Sequence, residues 1–304
     1  MGLIADSDLA ARIYIYPFSI CELNRSTNAE EHVRRYYFEF DTLVEQGLDA
    51  LIITGANVIA PTLDREPIWK PLIKVSDWAE DNVASILCSC LASHALIKHK
   101  YGIDRQPLPQ KQWGVYSHEV QRSEHPLLRG VKAHFDTPHS RWNAITSLQL
   151  EQAGLSVLAE SEEVGIHMAV SPDLFRIVYT QGHPEYDANS LLKEYKREVF
   201  RYQNGELESP PPYPENYLSE QAVEITGRFL DQWEKAASTD DVLPKFPEKE
   251  IAQSVVNSWK DAGESIFNNW LGLVHDLSSL DRHKQFAPRV DPDDPLTLRD
   301  SASV

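Results

Sequence analysis

"SILCSCLASHALIKHKYG", residues 85–102, carries the decision about architecture. Its opening residues are apolar without alternation, the pattern of a strand covered on both faces. The remainder has helical spacing and stops at Gly102, a natural C-cap. A strand that passes straight into a helix is half of a parallel βαβ unit. Two of the chain's three cysteines, Cys88 and Cys90, sit at the join. A nucleophile in that place gains twice. The sharp turn lifts its side chain out of the sheet, and the helix N-terminus offers N–H groups and a positive dipole end. Both favour a thiolate and an oxyanion. Cys90 stands where the helix begins, ahead of the small residues Ala92 and Ser93, whereas Cys88 is still in the strand. Regular alternation would put both on one face, but a turn at the join is expected to separate them. Free cysteine is also common as a small core hydrophobe, so this stretch alone leaves both readings open.

Working outward, "LDALIITG" (48–55) is a second buried strand, closed by Gly55, and "REPIWKPLIKVSDWAEDN" (65–82) is the helix between the two strands. Upstream, "ARIYIYPF" (11–18) alternates like a strand, and "AEEHVRRYYFEFDTLVEQG" (29–47) reads as one helix ending at Gly47. Downstream come short strands at "KQWGVYSHEV" (111–120), "LSVLAESE" (155–162), "GIHMAVS" (165–171) and "FRIVYTQG" (175–182), then a helix at "SLLKEYKREVFRYQNG" (190–205). The expected fold is α/β, with a mostly parallel central sheet, helices on both faces, and the later strands folded back as an antiparallel extension.

The texture changes after residue 206. "ESPPPYPENY" (208–217) is a proline-rich connection, "EQAVEITGRFLDQWEKAAS" (220–238) a helix, and "STDDVLPKFPEKE" (238–250) a loop. "IAQSVVNSWKDAGESIFNNWLGLVHDL" (251–277) has continuous helical spacing, with Trp259, Phe267 and Trp270 as anchors. This gives a domain over 1–215, helices over 216–285 that pack on it, and a polar, proline-broken segment over 286–304 expected as a flexible tail. There is no internal repeat.

Composition excludes several classes. The chain's 304 residues and 42% hydrophobic content fill a sizeable core. No apolar run approaches the roughly 20 residues that cross a bilayer. The N-terminus lacks the order of a signal peptide, and Asp6 leaves its Met-Gly start without the myristoylation context. A cytoplasmic protein is expected, with no membrane partner. A net charge of −17 argues against nucleic acid as a partner, although a few local cations still serve an anionic substrate. An odd number of cysteines, two of them too close to bridge, fits a reducing compartment.

Beyond the cysteines, "VYTQGHPEYD" (178–187) places Glu185 two residues after His183. In an extended segment those side chains face one way, so a carboxylate there can orient an imidazole acting as general base. A surface turn has the same chemistry; joined to a cysteine at another strand end, the pair suggests a Cys-His-Glu triad. "DTPHSRWN" (136–143) supplies His139, Ser140 and Arg141 on an expected loop, to bind a polar substrate or to tie the loop. Lys111 is a cation for an anionic ligand or a solvated surface lysine. Arg197 either grips a substrate carboxylate in bidentate fashion or pairs with Glu194 or Glu198. Neither the Cys88-Ser89-Cys90 spacing nor His94 and His99 forms a metal set, and no phosphate-binding glycine motif is present.

Taken together, "GLDALIITGANV", "WAEDNVASILCSCLASHALIKHKYGI", "PLPQKQWGVYSHEV", "FDTPHSRWN", "VLAESEEVGIHMAVS" and "VYTQGHPEYDANSLLKEYKREV", with the late "SWKDAGESIFNNWL", resemble the homoserine O-acyltransferase (homoserine O-succinyltransferase) family, which has the class I glutamine-amidotransferase-like fold. The resemblance spans roughly residues 29–204 plus the late helix. It implies Cys90 as the acyl nucleophile, His183 and Glu185 as its catalytic partners, Arg197 as the group that binds the amino acid's carboxylate, and Lys111 and Ser140 as substrate-binding residues. It also implies a homodimer that uses succinyl-CoA or acetyl-CoA as cosubstrate, holds no permanent cofactor and acylates L-homoserine in methionine synthesis or a secondary pathway. The Leu91 backbone N–H is a candidate for the oxyanion site. At the family's acyl-specificity position, where Gly goes with succinyl and Glu with acetyl, this chain has Ile59, which assigns neither donor. Around the nucleophile it carries Cys88 and Ala92 where amidotransferases prefer glycine, and Leu91 and His94 where related acyltransferases often have Trp and Gln. In the family's register Met1 falls beyond the segment carrying the first sheet strand, so that strand is expected to be missing. The alternatives to homoserine acylation are O-acylation of serine or a related hydroxy-amino acid, an amidotransferase-like hydrolase, and an inactive truncated paralogue.

Overall fold

A computed structural model of the chain describes residues 13–20, 25–55, 58, 60, 62–239 and 241–299. Its centre is a seven-stranded sheet of β1 (Ala50–Ile53), β2 (Ser85–Ser89), β3 (Gln106–Val120), β4 (His134–Ala144), β5 (Ser156–Ser161), β6 (Gly165–Val170) and β7 (Ile177–Thr180), in the order β1-β2-β7-β6-β5-β3-β4. Parallel pairing is confined to β1–β2 and β2–β7. The other four pairings are antiparallel. The expected parallel arrangement therefore holds in the part built from strand–helix units, and the fold-back expected of the later short strands makes up the rest. Registration of Cys88 with Tyr179 and Ser89 with Thr180 brings the ends of β2 and β7 side by side.

Alternation along the strands splits the core into two layers. Leu51, Ile53, Ile86, Cys88 and Tyr179 face α3 (Trp69–Asn82) and α4 (Leu91–Tyr101), with Leu150 of α5 (Ser147–Gln152) in the same cluster. Ile52, Leu87 and Val178 face the other way, against Ile266, Phe267, Trp270 and Val274 of α9 (Lys260–Leu277). The Trp270 indole N–H donates to the Ser85 hydroxyl at 2.9 Å, which ties the late helix to the start of β2. A third cluster joins Trp113 and Val115 of β3 to α6 (Ser190–Gln203) and α7 (Glu220–Thr239) through Leu192, Tyr195, Tyr217 and Phe229.

Several local expectations are corrected. The stretch 29–47 forms two helices, α1 (Thr27–Tyr36) and α2 (Phe40–Gln46), because Tyr37 and Glu39 adopt extended backbone. "ARIYIYPF" is not a ladder strand where it is described; Phe18 makes one isolated bridge, to Phe38. The region 251–277 is split between α8 (Glu248–Ala252) and α9, with turns between them. "DTPHSRWN" is not a loop: it lies in β4, whose polar side chains find hydrogen bonds within the fold. The segment expected as a tail is placed through Arg299, whose guanidinium donates to the Pro172 carbonyl at 2.7 Å; Phe286 within it is buried. No helix among the described residues is long and apolar enough to cross a membrane.

Candidate active site

The turn between β2 and α4 holds Cys90 at φ +51°, ψ −109°. A side chain at positive φ is strained by roughly 1–3 kcal/mol, so the surroundings must over-determine it. The Cys90 N–H donates to the Thr180 carbonyl at 2.8 Å, and the Cys90 carbonyl accepts from His94 N–H at 3.2 Å. The Ser93 hydroxyl lies 3.0 Å from the Cys88 carbonyl and 2.9 Å from that of Thr180, and accepts from Thr180 N–H at 3.1 Å. The same turn separates the two thiols. Cys88 is fully buried in the α3/α4 layer, where burial pushes its thiol well above the ordinary range, while Cys90 is partly exposed. A buried thiol that resists ionisation is a poor nucleophile, and of the two thiols Cys90 is the one left partly accessible.

His183 follows β7 after Gln181 and Gly182. Its backbone N–H donates to the Pro138 carbonyl at 2.8 Å. Its ring Nδ1 lies 2.9 Å from Glu185 Oε1, so Nδ1 carries the proton and Nε2 is left for the Cys90 side chain, with which the ring is hydrogen-bonded. Burial alone would lower the imidazole's proton affinity. The hydrogen bonds to Cys90 and Glu185, with their charges, outweigh it and raise the pKa to about 10. Glu185 is pushed up by burial but held below the ordinary carboxylate range by His183, its own backbone N–H and the Ser89 hydroxyl, which donates to Oε1 at 2.8 Å. The three expected catalytic side chains thus form one continuous line.

A second constellation adjoins it. The Tyr186 ring stacks on His183 at 4.3 Å between centroids, and its hydroxyl donates to Glu194 Oε1 at 2.7 Å. Glu194 Oε2 accepts from the Ser140 hydroxyl at 2.6 Å and from Lys111 Nζ at 3.3 Å. Burial pushes the Glu194 carboxyl up, yet Ser140, Lys111 and Tyr186 hold it below its usual range. The Lys111 ammonium lies 4.0 Å from the centre of the Trp113 ring, and burial lowers its proton affinity. Lys111 and Ser140 are therefore brought together. Arg197 is one helical turn along α6 from Glu194, but its side chain is 60% exposed and pairs with Glu198 at 3.3 Å.

Strand alternation decides the fate of "PHSR". Ser140 points to Glu194, while His139 and Arg141 turn inward and are buried. Leu91 is the first residue of α4, so its N–H has no partner within that helix. Gly55, at the end of β1, is close by: a Cβ there would lie 3.6 Å from Leu91 N. Ile59, the acyl-specificity position, lies outside the described residues. Among the described residues no group of three or more His, Cys, Asp or Glu side chains is arranged to hold a metal ion.

Three residues of this arrangement have no site role in the sequence reading, in which Glu194 appears only as a possible partner of Arg197. Ser89 sits between the two cysteines on the strand face opposite Cys88, a position that alternation identifies. Tyr186 is the next residue after Glu185. Glu194 precedes Arg197 by three residues, which is one helical turn, but its role depends on β3 and β4 coming alongside.

The family model for homoserine O-succinyltransferases matches residues 1–279. A homoserine O-succinyltransferase from Nitrosococcus oceani is 52% identical over 297 residues, covering 98% of this chain and 83% of the relative. Another from Thiothrix nivea is 50% identical over 304 residues, covering 100% and 84%. Among solved structures, a glutamine amidotransferase from Thermotoga maritima is similar at TM-score 0.44 and 11% identity, covering 81% of this chain and 90% of that one. One from Methylobacillus flagellatus is similar at TM-score 0.45 and 13% identity, covering 86% and 90%. On the match to the family model and the identity to these relatives, the chain belongs to the homoserine O-succinyltransferase family.

Proposed function

We propose that the chain transfers a succinyl group from succinyl-CoA to the hydroxyl of L-homoserine, by a ping-pong route through a thioester on Cys90. The observation that carries this reading is the unbroken Cys90–His183–Glu185 line at a strained strand-to-helix turn. The names of the relatives support succinyl as the acyl group; acetyl-CoA is the alternative donor. The family resemblance supports a homodimer working in the cytoplasm.

In the first half-reaction the Cys90 thiolate attacks the thioester carbonyl of the donor. The oxyanion is stabilised by the Leu91 N–H and the α4 dipole. As the tetrahedral intermediate collapses, the bond to the CoA sulfur breaks. His183, which holds its proton up to about pH 10, donates it to that sulfur. Acylation then changes the base. Cys90 becomes a neutral thioester, so its negative charge and its share of the hydrogen bonding no longer raise His183, whereas burial continues to lower it. The imidazole therefore becomes a competent base when the second substrate arrives. It takes the proton of the homoserine hydroxyl, the oxygen attacks the acyl carbon, and the Cys90 thiolate leaves beside a restored imidazolium. Glu185 keeps the ring in one tautomer throughout.

For the acceptor, Glu194 Oε1 retains a lone pair after accepting from Tyr186 and is the candidate partner for the ammonium group. Arg197 serves the carboxylate, and Lys111 and Ser140 line the site. The test is direct. Purified protein is incubated with succinyl-CoA or acetyl-CoA, and the peptide containing Cys90 is weighed before and after L-homoserine is added. A donor-dependent mass gain that homoserine discharges is expected. A folded protein that takes no acyl group from either donor sinks the reading, and ammonia release from glutamine would move it to the hydrolases.

A further inference from the structure

Beneath the base lies a set of buried side chains that the acyl-transfer scheme does not use. His118 and His139 are wholly buried, and His167 and Arg141 nearly so. The hydrogen-bond directions of Arg141, His139 and His118 follow from the guanidinium, which has no acceptor; His167 makes no ring hydrogen bond among the described residues. The Arg141 Nε can only donate, and it lies 3.1 Å from His139 Nδ1, so Nδ1 accepts. A neutral His139 then carries its proton on Nε2, which stands 3.1 Å from His118 Nε2. His118 must accept there, so its own proton is on Nδ1, which donates to the Tyr116 carbonyl at 3.0 Å. Arg141 also donates to the carbonyls of Asn143 and Val164, which anchors the head of the relay. Protonating either ring would remove an acceptor and set two donors face to face. Burial acts in the same sense, lowering His118 to about 4 and His139 well below its ordinary value.

This relay forms the floor under the catalytic segment. A Cβ on Gly182 would lie 2.8 Å from His139 Nε2, 2.9 Å from His167 Nδ1 and 2.6 Å from Thr137 Cγ2. Glycine is needed there for closeness. The segment is also held from both sides. Gln181 N–H donates to the His167 carbonyl and His183 N–H to the Pro138 carbonyl, each at 2.8 Å. Histidine χ2 is broad when unconstrained, and bonds at both nitrogens remove that freedom from the His139 ring.

We infer that the Arg141–His139–His118 relay sets the height and orientation of His183, acting through the glycine before it. His139 and His118 are positioning residues, and a displacement of the base on the ångström scale is what their loss produces. The inference rests on His183 being the base of the proposed transfer.

The wild-type protein supplies the first test. Long-range proton–nitrogen spectra of the histidine rings should show His139 protonated on Nε2 and His118 on Nδ1; the opposite tautomers would overturn the relay. The second test compares His118→Phe, which keeps the bulk and removes the acceptor, with His118→Gln, whose amide oxygen can accept in place of Nε2. His118→Phe should lower kcat about tenfold or more, leave KM for homoserine within about twofold, and move the ring resonances of His183. His118→Gln should recover most of that loss. Unchanged kcat and unmoved His183 signals in His118→Phe would defeat the inference. A His183→Asn control separates the two possible failures: full turnover there sinks the base assignment, whereas loss there with an unaffected His118→Phe sinks the relay alone.

Discussion

Two buried histidine environments lie side by side in this molecule and behave oppositely. His183 is held protonated, with its pKa raised to about 10, while His118 is held neutral, with its pKa lowered to about 4. Burial works in one direction at both, against the charged ring. The difference lies in the partners. His183 faces a carboxylate and a sulfur, whereas His118 is joined through His139 to a guanidinium and donates to a neutral carbonyl. Where a buried ring makes hydrogen bonds, the charge at the far end of those bonds decides whether it keeps a second proton.

The most severe way to break the catalytic side of this pair is Cys90→Ser, which should cut kcat for succinyl transfer by about 10³-fold or more and abolish the acyl-enzyme mass gain. Cys88→Ser should only weaken turnover; equal loss in both would overturn the choice of nucleophile. Next comes Glu185→Gln. Without its charge the tautomer is no longer enforced, and kcat should fall about 10²- to 10⁴-fold while the His183 pKa, followed by NMR titration, drops from about 10. An unmoved titration would show that Glu185 does not set the ring's charge.

A third prediction concerns stability and treats both histidines at once. His183 has a folded pKa above its ordinary 6.5, so its contribution is fully present below 6.5 and is lost as pH rises towards about 10. His118 has a folded pKa below 6.5, so its contribution is present above 6.5 and is lost as pH falls towards about 4. Melting temperature against pH should therefore slope downward on both sides. His183→Asn should flatten the alkaline limb, and His118→Gln should lessen the slope of the acid limb, which His94, His139 and His167 share; a change in the wrong limb would contradict the assignment. The smallest effect is expected from Ser89→Ala, which removes one of the bonds that hold Glu185. A loss of about threefold to tenfold in kcat is expected, on the scale of a single hydrogen bond, and a loss as large as that of Glu185→Gln would mean that Ser89 has a further part.

Much of the Cys90–His183–Glu185 arrangement was legible in advance because each part is local. The join at residues 85–102 announces itself by a change of periodicity, and His183 and Glu185 are two residues apart, although the chain there is a turn, closed by Tyr186 N–H donating to the His183 carbonyl at 3.1 Å, and not the extended segment expected. The choice between two cysteines followed from one turn, whose positive φ sends Cys90 outward and leaves Cys88 in the core. What escaped reading depends on strand neighbours. "DTPHSRWN" looks like a loop because it is polar, yet β4 can bury Arg141 and His139 since β3 and the chain around Val164 supply their acceptors. The break between α1 and α2 and the division of residues 251–277 were missed for a related reason. Helical spacing records which side chains face inward, and says little about where the backbone must bend to follow the core.

The chain alone was enough to indicate a strand passing into a helix at residues 85–102, parallel strand–helix units before it and short folded-back strands after it, and to set Cys90, the proposed nucleophile, at the join. These depend on periodicity and on neighbours a few residues apart. It takes the assembled sheet to bring Lys111, Ser140 and Tyr186 onto Glu194, and to line up Arg141, His139 and His118 beneath His183. The physical reason is that hydrogen-bond partners and charge states are set by atoms within about 3 Å, and those atoms come from strands and helices distant in sequence until the sheet brings them together.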